Sequence, residues 1–360
     1  MAIALFDTHG PLEPLRVELR AAIERVLDSG HYILGEEVRT FEREFAAYCG
    51  CAHAVGVANG TEAITIALRA MGVGPGDEVI VPSFTFYASA EAIPPTGATP
   101  VFCDIDPDTY CVTAETVRAA LSPRTKAIIA VHLFGNLAPI AEIQALGVPV
   151  LEDAAQAAGS ISAAGRPGAL ALAGTFSFFP SKNLGCFGDG GAITTNDPDI
   201  AERVRMLRFH GSRDKLDYEL VGYNSRLDEL QAAVLRTQLA HLDLWADERR
   251  RVARRYEQAG LGEVVRLPRA TQGSSPAWHL YVVAHPQVKR LESALADAEI
   301  AHKAYYRKPV HHQPAMARFA ASAELPATDQ AARTHLAIPM SPTLTSEQIS
   351  QVTDAARRAL

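Results

Sequence analysis

Lys182 lies in a segment whose composition could make a lysine amine reactive. Residues 176–191 read FSFFPSKNLGCFGDGG, with an apolar run before the lysine and a glycine-rich loop after it. The run is typical of a buried strand end, and the glycines indicate tight turns or close approach of the backbone to another group. Partial desolvation disfavours the ammonium form, which lowers the pKa of the amine and makes it a nucleophile toward carbonyl groups. The segment therefore predicts a reactive lysine, whereas the plain alternative is a lysine on a surface loop.

Three further features could act together with this amine. Asp153 and Gln156 follow the apolar strand VPVLE, residues 59–62 (NGTE) lie where a strand turns into a helix, and Phe86 follows the next strand. An acid at a strand end can hold a ring nitrogen, a helix N-terminus binds anions, and an aromatic ring can stack on a planar group. Each feature has an ordinary alternative, namely a helix cap, a common helix start or a core aromatic. Together with the lysine they match the requirements of pyridoxal phosphate.

The elements that must position these residues alternate along the chain. Short strands rich in Val and Ile are predicted at 53–58, 78–82, 99–105, 126–134, 148–153, 174–179 and 191–196, with helical segments between most of them. Such alternation predicts an α/β fold with a mostly parallel central sheet flanked by helices. Ligands of these sheets bind at the carboxyl ends of the strands.

Helical patterns occupy the N-terminal part and the later part of the chain. We predict helices at 15–27 and 38–48, with Gly30 and Gly50 as stop signals, and one long helical stretch at 227–255. After residue 260 the pattern no longer alternates. It predicts loops, a strand at 278–284 and helices at 288–298 and 346–360. We therefore expect a large α/β domain with the N-terminal helices (1–245) and a smaller C-terminal α+β domain (246–360).

Composition excludes several classes of protein. The formal net charge is −7, with acidic and basic residues interleaved, so a nucleic-acid partner is not expected. Neither a signal peptide nor a membrane-spanning segment is predicted. The five cysteines form no paired framework and favour the reducing cytoplasm. Cys49 and Cys51 form a single CxC motif. Because no second cysteine pair or histidine cluster accompanies it to complete a zinc site, we predict no metal site.

Several long motifs resemble one known family. They are VGVANGTEA, PVFCDIDPDTY, RTKAIIAVHLFG, VLEDAAQA, FSFFPSKNLGCFGDGGAITT and GYNSRLDELQAAVL. They are similar in order and spacing, from about residue 35 to the end, to the PLP-dependent nucleotide-sugar aminotransferases of the DegT/DnrJ/StrS family. These are fold-type I enzymes, which resemble aspartate aminotransferase. Relatives that remove a sugar hydroxyl have histidine at the position of Lys182, so the lysine favours transamination.

The resemblance implies roles for individual residues. Lys182 and Asp153 would be catalytic, with Lys182 attached to pyridoxal 5'-phosphate and Asp153 paired with its ring nitrogen. The other implied cofactor-binding residues are Gly60, Thr61, Glu62, Phe86, Gln156, Ser177 and, from the neighbouring subunit, Asn224. The residues expected near the substrate are Tyr305, Arg226 and His311. The active site would be shared across a homodimer.

The reaction implied by the resemblance moves an amino group in two half-reactions. An amino acid, expected to be L-glutamate, would convert the cofactor to pyridoxamine phosphate, which then aminates a keto-deoxysugar linked to dTDP or UDP. The motif NLGCFGDGGA is more similar to the branch of the family that acts on 3-keto sugars than to the branch that acts on 4-keto sugars. The alternatives are a PLP-dependent sugar dehydratase or epimerase, a cyclitol aminotransferase, and a regulator that kept the fold without chemistry.

Overall fold

A computed structural model describes residues 2–320 and 323–360. The strands are β1 (His53–Val57), β2 (Glu78–Pro82), β3 (Thr99–Cys103), β4 (Thr125–Val131), β5 (Val150–Asp153), β6 (Ile161–Ser162), β7 (Ala173–Ser177), β8 (Gly191–Thr195), β9 (Ser274–Ser275), β10 (Tyr281–Ala284) and β11 (His335–Ile338). The α-helices are α1 (Arg16–Ser29), α2 (Glu36–Cys49), α3 (Gly60–Ala70), α4 (Ala88–Glu91), α5 (Ala114–Arg118), α6 (Ile140–Gln144), α7 (Pro198–Leu207), α8 (Glu229–Leu239), α9 (Leu242–Gln258), α10 (Val288–Asp297), α11 (Pro326–Thr334) and α12 (Ser346–Ala359). Short 3-10 helices occupy Gly10–Leu15, Pro94–Thr96, Leu133–Gly135, Leu261–Glu263, Val310–His312 and Pro314–Phe319.

The central sheet has seven strands in the order β1-β8-β7-β5-β4-β2-β3. Strands β3, β2, β4, β5 and β7 run parallel, whereas β8 is antiparallel to both β7 and β1. The predicted mostly parallel sheet is therefore confirmed. The reversal at β8 was not predicted. A parallel neighbour of β7 would need a crossover, usually a helix, that returns the chain to the edge where β7 begins. The segment 178–190 contains no helix, so β8 starts at the carboxyl end of β7 and runs antiparallel to it. The lysine segment consequently stays at the carboxyl edge of the sheet.

Both faces of this sheet are covered. Along β2, Val79 and Val81 belong to a core that contains helices α3 and α7, whereas Ile80 belongs to a second core with α5 and α6. A third core, on the same side of β1 as Ala54, contains α2 and α8. Alternate residues of a buried parallel strand must meet helices on opposite faces, and the continuous Val/Ile runs follow from this.

The predicted helix ends are confirmed at α1 and α2. Gly30 and Gly50 adopt left-handed conformations with φ of 64° and 79°, which a glycine accepts without cost from a Cβ atom. The predicted long helical stretch at 227–255 is wrong in one respect, since it forms two helices separated at Ala240 and His241. The break has a packing cause. Helix α8 packs on α1 and α2, whereas α9 contributes Val252 to a separate C-terminal core, and one straight helix could not serve both.

A separate hydrophobic core contains β10, β11, α10, α12 and the end of α9. It corresponds in position to the C-terminal part of the chain, and the predicted division at residue 245 remains a prediction. One residue of this core comes from the other end of the chain, because Ile3 is buried there. The backbone of Ile3 pairs with the Glu299–Ala301 stretch, and Leu5 accepts a hydrogen bond from the Met340 amide at 3.3 Å. The first residues are thus fastened to the C-terminal part before the chain enters the large core.

The five cysteines are free thiols, and Cys51 alone among them is not fully buried. Over residues 2–320 and 323–360, no helix combines the length and the apolar character needed to cross a bilayer.

Candidate active site

A cavity of about 590 Å³ opens at the carboxyl edge of the sheet. Residues that follow β1, β2 and β7 line it, together with the last residues of β4 and β5. The predicted site residues found in its wall are Gly60, Thr61, Glu62, Phe86, Asp153, Gln156, Ser177, Lys182 and Tyr305. The location agrees with the general rule for parallel sheets.

Lys182 enters the cavity from the loop between β7 and β8. Its backbone amide donates to the Phe179 carbonyl at 2.8 Å, which fixes a tight turn. Gly185 closes this turn, since a Cβ atom there would lie 2.6 Å from the Pro180 carbonyl oxygen. Burial lowers the pKa of the Lys182 amine to about 8, and the negative charge of Asp153 opposes part of that shift. At neutral pH the amine therefore loses a proton far more readily than an ordinary lysine does.

Asp153 is the last residue of β5 and is buried. Its Oδ2 accepts a hydrogen bond from the Ser89 hydroxyl at 2.6 Å, and its Oδ1 accepts one from the Ala155 amide at 3.2 Å. The Thr85 hydroxyl lies 2.9 Å from the Ser89 hydroxyl and orients it. Both donors are neutral groups, so they satisfy the oxygens of the buried carboxylate without neutralising its charge.

The first turn of α3 forms another wall. Asn59 caps the helix, and its Oδ1 accepts from the Glu62 amide at 2.8 Å. The amides of Gly60 and Thr61 precede the first residue that can bond within the helix, so they are available to an anion. Gly60 allows the turn to approach β7, because a Cβ atom there would lie 2.7 Å from the Ser177 Cβ. The Glu62 carboxylate has a buried oxygen, Oε2, without a hydrogen-bond partner among the described residues.

Gln156 and Phe86 flank the space between the lysine and the helix turn. Gln156 accepts from the Phe134 amide at 2.7 Å and donates to the Tyr306 hydroxyl at 3.2 Å, so both ends of its amide are held. The Phe86 ring lies in the cavity wall with 54% of its surface exposed, and its centroid is 6.1 Å from that of Tyr306. An exposed aromatic face in a cavity wall can stack on a planar ligand.

Three predicted site residues lie outside the lining of this cavity. Asn224 is exposed on the segment before α8 and forms a backbone bridge with Phe209. Arg226 lies two residues further on and is half-buried. His311 is buried, and its Nδ1 lies 2.6 Å from the Ser83 hydroxyl.

The structure adds wall residues that sequence reasoning missed, among them Phe6, Ser89, His279 and Tyr306. Burial, reinforced by the positive charge of Lys182, holds the pKa of His279 well below its usual range, so this ring is neutral at pH 7. The Phe6 ring stacks on it with centroids 5.7 Å apart. Ser89 could have been suspected, because it lies three residues after Phe86 on a predicted helix, and Tyr306 adjoins the predicted Tyr305. Phe6 and His279 carry no local signal.

A buried lysine with a lowered pKa and a buried carboxylate line one cavity at the carboxyl edge of a mostly parallel sheet, an arrangement typical of enzymes that act on amines and carbonyl groups. The chain belongs to the DegT/DnrJ/EryC1/StrS aminotransferase family, whose profile matches residues 14–357. Membership confirms the predicted family and the prediction of an aminotransferase, and it implies dependence on pyridoxal phosphate.

The chain is similar over its whole length to named members. It is 46% identical over 362 residues to the dTDP-3-amino-3,4,6-trideoxy-alpha-D-glucose transaminase of Streptomyces venezuelae, covering 99% of this chain and 95% of that protein. It is 43% identical to the UDP-N-acetyl-3-dehydro-alpha-D-glucosamine 3-aminotransferase of Acidithiobacillus ferrooxidans, covering 100% and 98%. The crystal structure of S. venezuelae DesV in complex with a ketimine intermediate superposes with a TM-score of 0.96 at 46% identity, covering 99% of this chain and 98% of that one. The predicted fold class is confirmed.

Proposed function

We propose that this protein transfers an amino group from L-glutamate to the 3-keto carbon of a deoxysugar linked to dTDP or UDP, using pyridoxal phosphate. The observation that carries the proposal is that one cavity contains the Lys182 amine, the Asp153 carboxylate and the first turn of α3. The two named relatives act on nucleotide-linked sugars at carbon 3. Their names support the choice of a 3-keto sugar.

The residues of the cavity fit the cofactor. The close approach of Gly60 to Ser177 leaves a cradle for a phosphate, with the Thr61 amide and the Ser177 hydroxyl beside it. Phe86 offers a flat face, and Gln156 lies where it could meet the ring hydroxyl. When bound, pyridoxal phosphate supplies an aldehyde that captures amines and a ring that withdraws an electron pair.

Lys182 holds and moves the proton of the reaction. Its amine, with a pKa of about 8, can attach the cofactor covalently and can later accept a proton from a carbon next to the reacting nitrogen. A group that must both take and return a proton works best with a pKa near the operating pH. Desolvation by the surrounding cavity wall lowers the pKa of Lys182 toward that range.

Asp153 holds the charge that the ring nitrogen requires. The Ser89 hydroxyl and the Ala155 amide fix both carboxylate oxygens, so the acid does not need to reorganise during the reaction. The neutral His279 beside Lys182 adds no second positive charge to the site, which keeps the lysine easy to deprotonate.

We further propose that two subunits share each site. Phe86 and Phe179 line the cavity yet expose 54% and 52% of their surfaces in the single chain. Among the described residues the buried Glu62 Oε2 has no hydrogen-bond partner, and a donor from a neighbouring subunit would satisfy it. Asn224 and Arg226 precede α8 at the surface and are available to a neighbouring subunit. In this proposal Asn224 reaches the partner's phosphate and Arg226 the partner's substrate.

Tyr305 and His311 are the proposed substrate contacts within this chain. Tyr305 lies in the cavity wall next to Tyr306, so a sugar above the lysine could contact it. His311 contacts Ser83, and its role toward a substrate remains a prediction from sequence. The five free thiols suit the reducing cytoplasm, where we propose that the enzyme acts.

The proposal is tested with purified protein, pyridoxal phosphate, L-glutamate and a panel of dTDP- and UDP-linked 3-keto and 4-keto sugars. Mass spectrometry should detect an amino sugar from a 3-keto substrate, with one 2-oxoglutarate formed per product. Lys182→Ala is the control and should form neither compound. A changed sugar without 2-oxoglutarate would identify a dehydratase or epimerase. If the nucleotide-linked sugars gave no product, and a free keto-cyclitol added in their place were aminated, the protein would be a cyclitol aminotransferase.

A further inference from the structure

A group of metal-ligating side chains lies on the His311 turn, next to helix α11. Within the described residues, His311, His312 and Asp329 bring one ligand atom each to within 4.8 Å of one another. The Nε2 atoms of His311 and His312 lie 3.8 Å and 3.0 Å from Asp329 Oδ1. The centroids of the two imidazole rings lie 3.8 Å apart, and the ring planes are tilted by 40°.

These separations suit a small divalent ion. A tetrahedral zinc ion bound at about 2.0–2.1 Å holds its ligand atoms about 3.3 Å from one another. The separations of the two Nε2 atoms from Asp329 Oδ1, 3.8 Å and 3.0 Å, bracket that value, and the ligand atoms of all three residues lie within 4.8 Å of one another. Two imidazoles and one carboxylate form a donor set that favours transition metals over magnesium or calcium.

The ligands are held in place by the sheet. Ser83 directly follows β2, and its hydroxyl contacts both the His311 amide at 3.0 Å and the His311 Nδ1 at 2.6 Å. Asp104 directly follows β3 and accepts hydrogen bonds from the first turn of α11, including the Thr328 amide at 2.7 Å. Strands β2 and β3 pair in register at these ends, with Pro82 opposite Cys103. The sheet therefore fixes the separation between His311 and Asp329.

The contact to Ser83 also resembles the outer support of known metal sites. A histidine ligand commonly bonds through its second ring nitrogen to another protein group, which fixes the orientation of the ring. The site is reachable, because His312 and Asp329 expose 51% and 34% of their side chains, whereas His311 exposes 4%. An ion could enter from solvent and would still contact one buried ligand.

We propose that His311, His312 and Asp329 bind one transition-metal ion of the Zn²⁺ type, through the two Nε2 atoms and the Asp329 carboxylate. Three protein ligands leave a fourth position for water. The ion would fasten the His311 turn to helix α11, and the same segment carries Tyr306 into the cavity wall. The inference does not depend on the proposed function, because it concerns ligands outside the lining of the cavity.

The test titrates ZnCl₂ alone into chelator-treated, cofactor-loaded protein by calorimetry. We expect one zinc ion per chain. His312→Asn and Asp329→Asn should each weaken binding by at least the roughly 10- to 100-fold that follows loss of a supporting contact. His9→Asn is the matched control, since His9 and Glu13 form an exposed pair at 3.4 Å without a second histidine. This control should bind zinc like the unchanged protein.

A second measurement needs no variant. Co²⁺ in place of Zn²⁺ should give difference spectra with weak visible bands and no intense thiolate band. The absence of zinc binding, or equal affinity in the unchanged protein and both ligand variants, would overturn the proposal and leave His312 and Asp329 as an ordinary ion pair. A thiolate band would also overturn it by assigning the metal to cysteine. Neither result would affect the glutamate-dependent assay.

Discussion

Gly60→Ala should separate cofactor affinity from folding stability. Gly60 begins α3, and a Cβ atom there would lie 2.7 Å from the Ser177 Cβ and 3.2 Å from the Ser177 Cα. An ordinary contact between carbon atoms needs about 3.5 Å, so the helix turn must retreat from β7 by about 0.8 Å. Since alanine favours a helix over glycine by about 1 kcal/mol, the helix itself is not weakened.

The size of the effect follows from the hydrogen bonds to the phosphate. A bond of about 2.9 Å that lengthens by about 0.8 Å falls outside the useful range. One hydrogen bond to a charged group is worth about 1.5–3 kcal/mol. We therefore expect Gly60→Ala to weaken binding of pyridoxamine phosphate by about 10- to 150-fold, which is that energy converted at about 1.4 kcal/mol per factor of ten.

Pyridoxamine phosphate is the appropriate ligand because it has no aldehyde, so its affinity contains no covalent bond to Lys182. Binding is followed by titration of cofactor-free protein, and stability by thermal unfolding. Gly74→Ala is the matched control, since a Cβ at Gly74 meets nothing within 4 Å and its φ is not left-handed. Equal affinities in Gly60→Ala and the unchanged protein would refute the argument. So would a loss in Gly74→Ala of the same size.

The other predictions concern the lysine, the acid and the shared site. Borohydride reduction and tryptic mapping should find the phosphopyridoxyl group on Lys182, and a label on another lysine would contradict the assignment. Lys182→Ala should still bind pyridoxamine phosphate but lose turnover. In cofactor-free protein, modification of Lys182 by an amine-reactive reagent should rise with pH around a midpoint near 8, and Asp153→Asn should lower that midpoint because the Asp153 charge raises the lysine pKa. Asp153→Asn should also retain some cofactor while losing several orders of magnitude in rate, and a near-normal rate would show that another group protonates the ring nitrogen. Mixing Lys182→Ala with Asn224→Ala under subunit exchange should restore activity if sites are shared, whereas no recovery despite exchange confines each site to one chain.

Features set by local pattern were predictable from sequence. The alternation of strands and helices, the ends of α1 and α2 at Gly30 and Gly50, and the position of Lys182 after β7 all depend on residues near one another in the chain. Periodicity and backbone preference act over such short distances, so the sequence displays them directly.

Features set by distant contacts were not predictable. The break between α8 and α9 has no glycine or proline to mark it, because it is imposed by two different cores. The backbone of His279 packs closely against Gly135, and a Cβ atom at Gly135 would lie 2.8 Å from the His279 amide nitrogen. This close approach brings His279 to the cavity. The support of Asp153 by Ser89 joins residues 64 positions apart. Each of these requires the fold to be known first.

The attachment of the first residues has a consequence for how the protein is made. Phe6 belongs to the cavity wall, yet the residues beside it are held by Glu299 and Met340 near the other end of the chain. A ribosome releases residues in order, so Phe6 emerges long before residues 299 and 340. The backbone contacts of Ile3 with Glu299 and of Leu5 with Met340 can both be in place only when residue 340 has emerged. The N-terminal part of the pocket wall is therefore fastened only at that stage, and a nascent chain stalled before residue 340 would hold the lysine loop without this attachment.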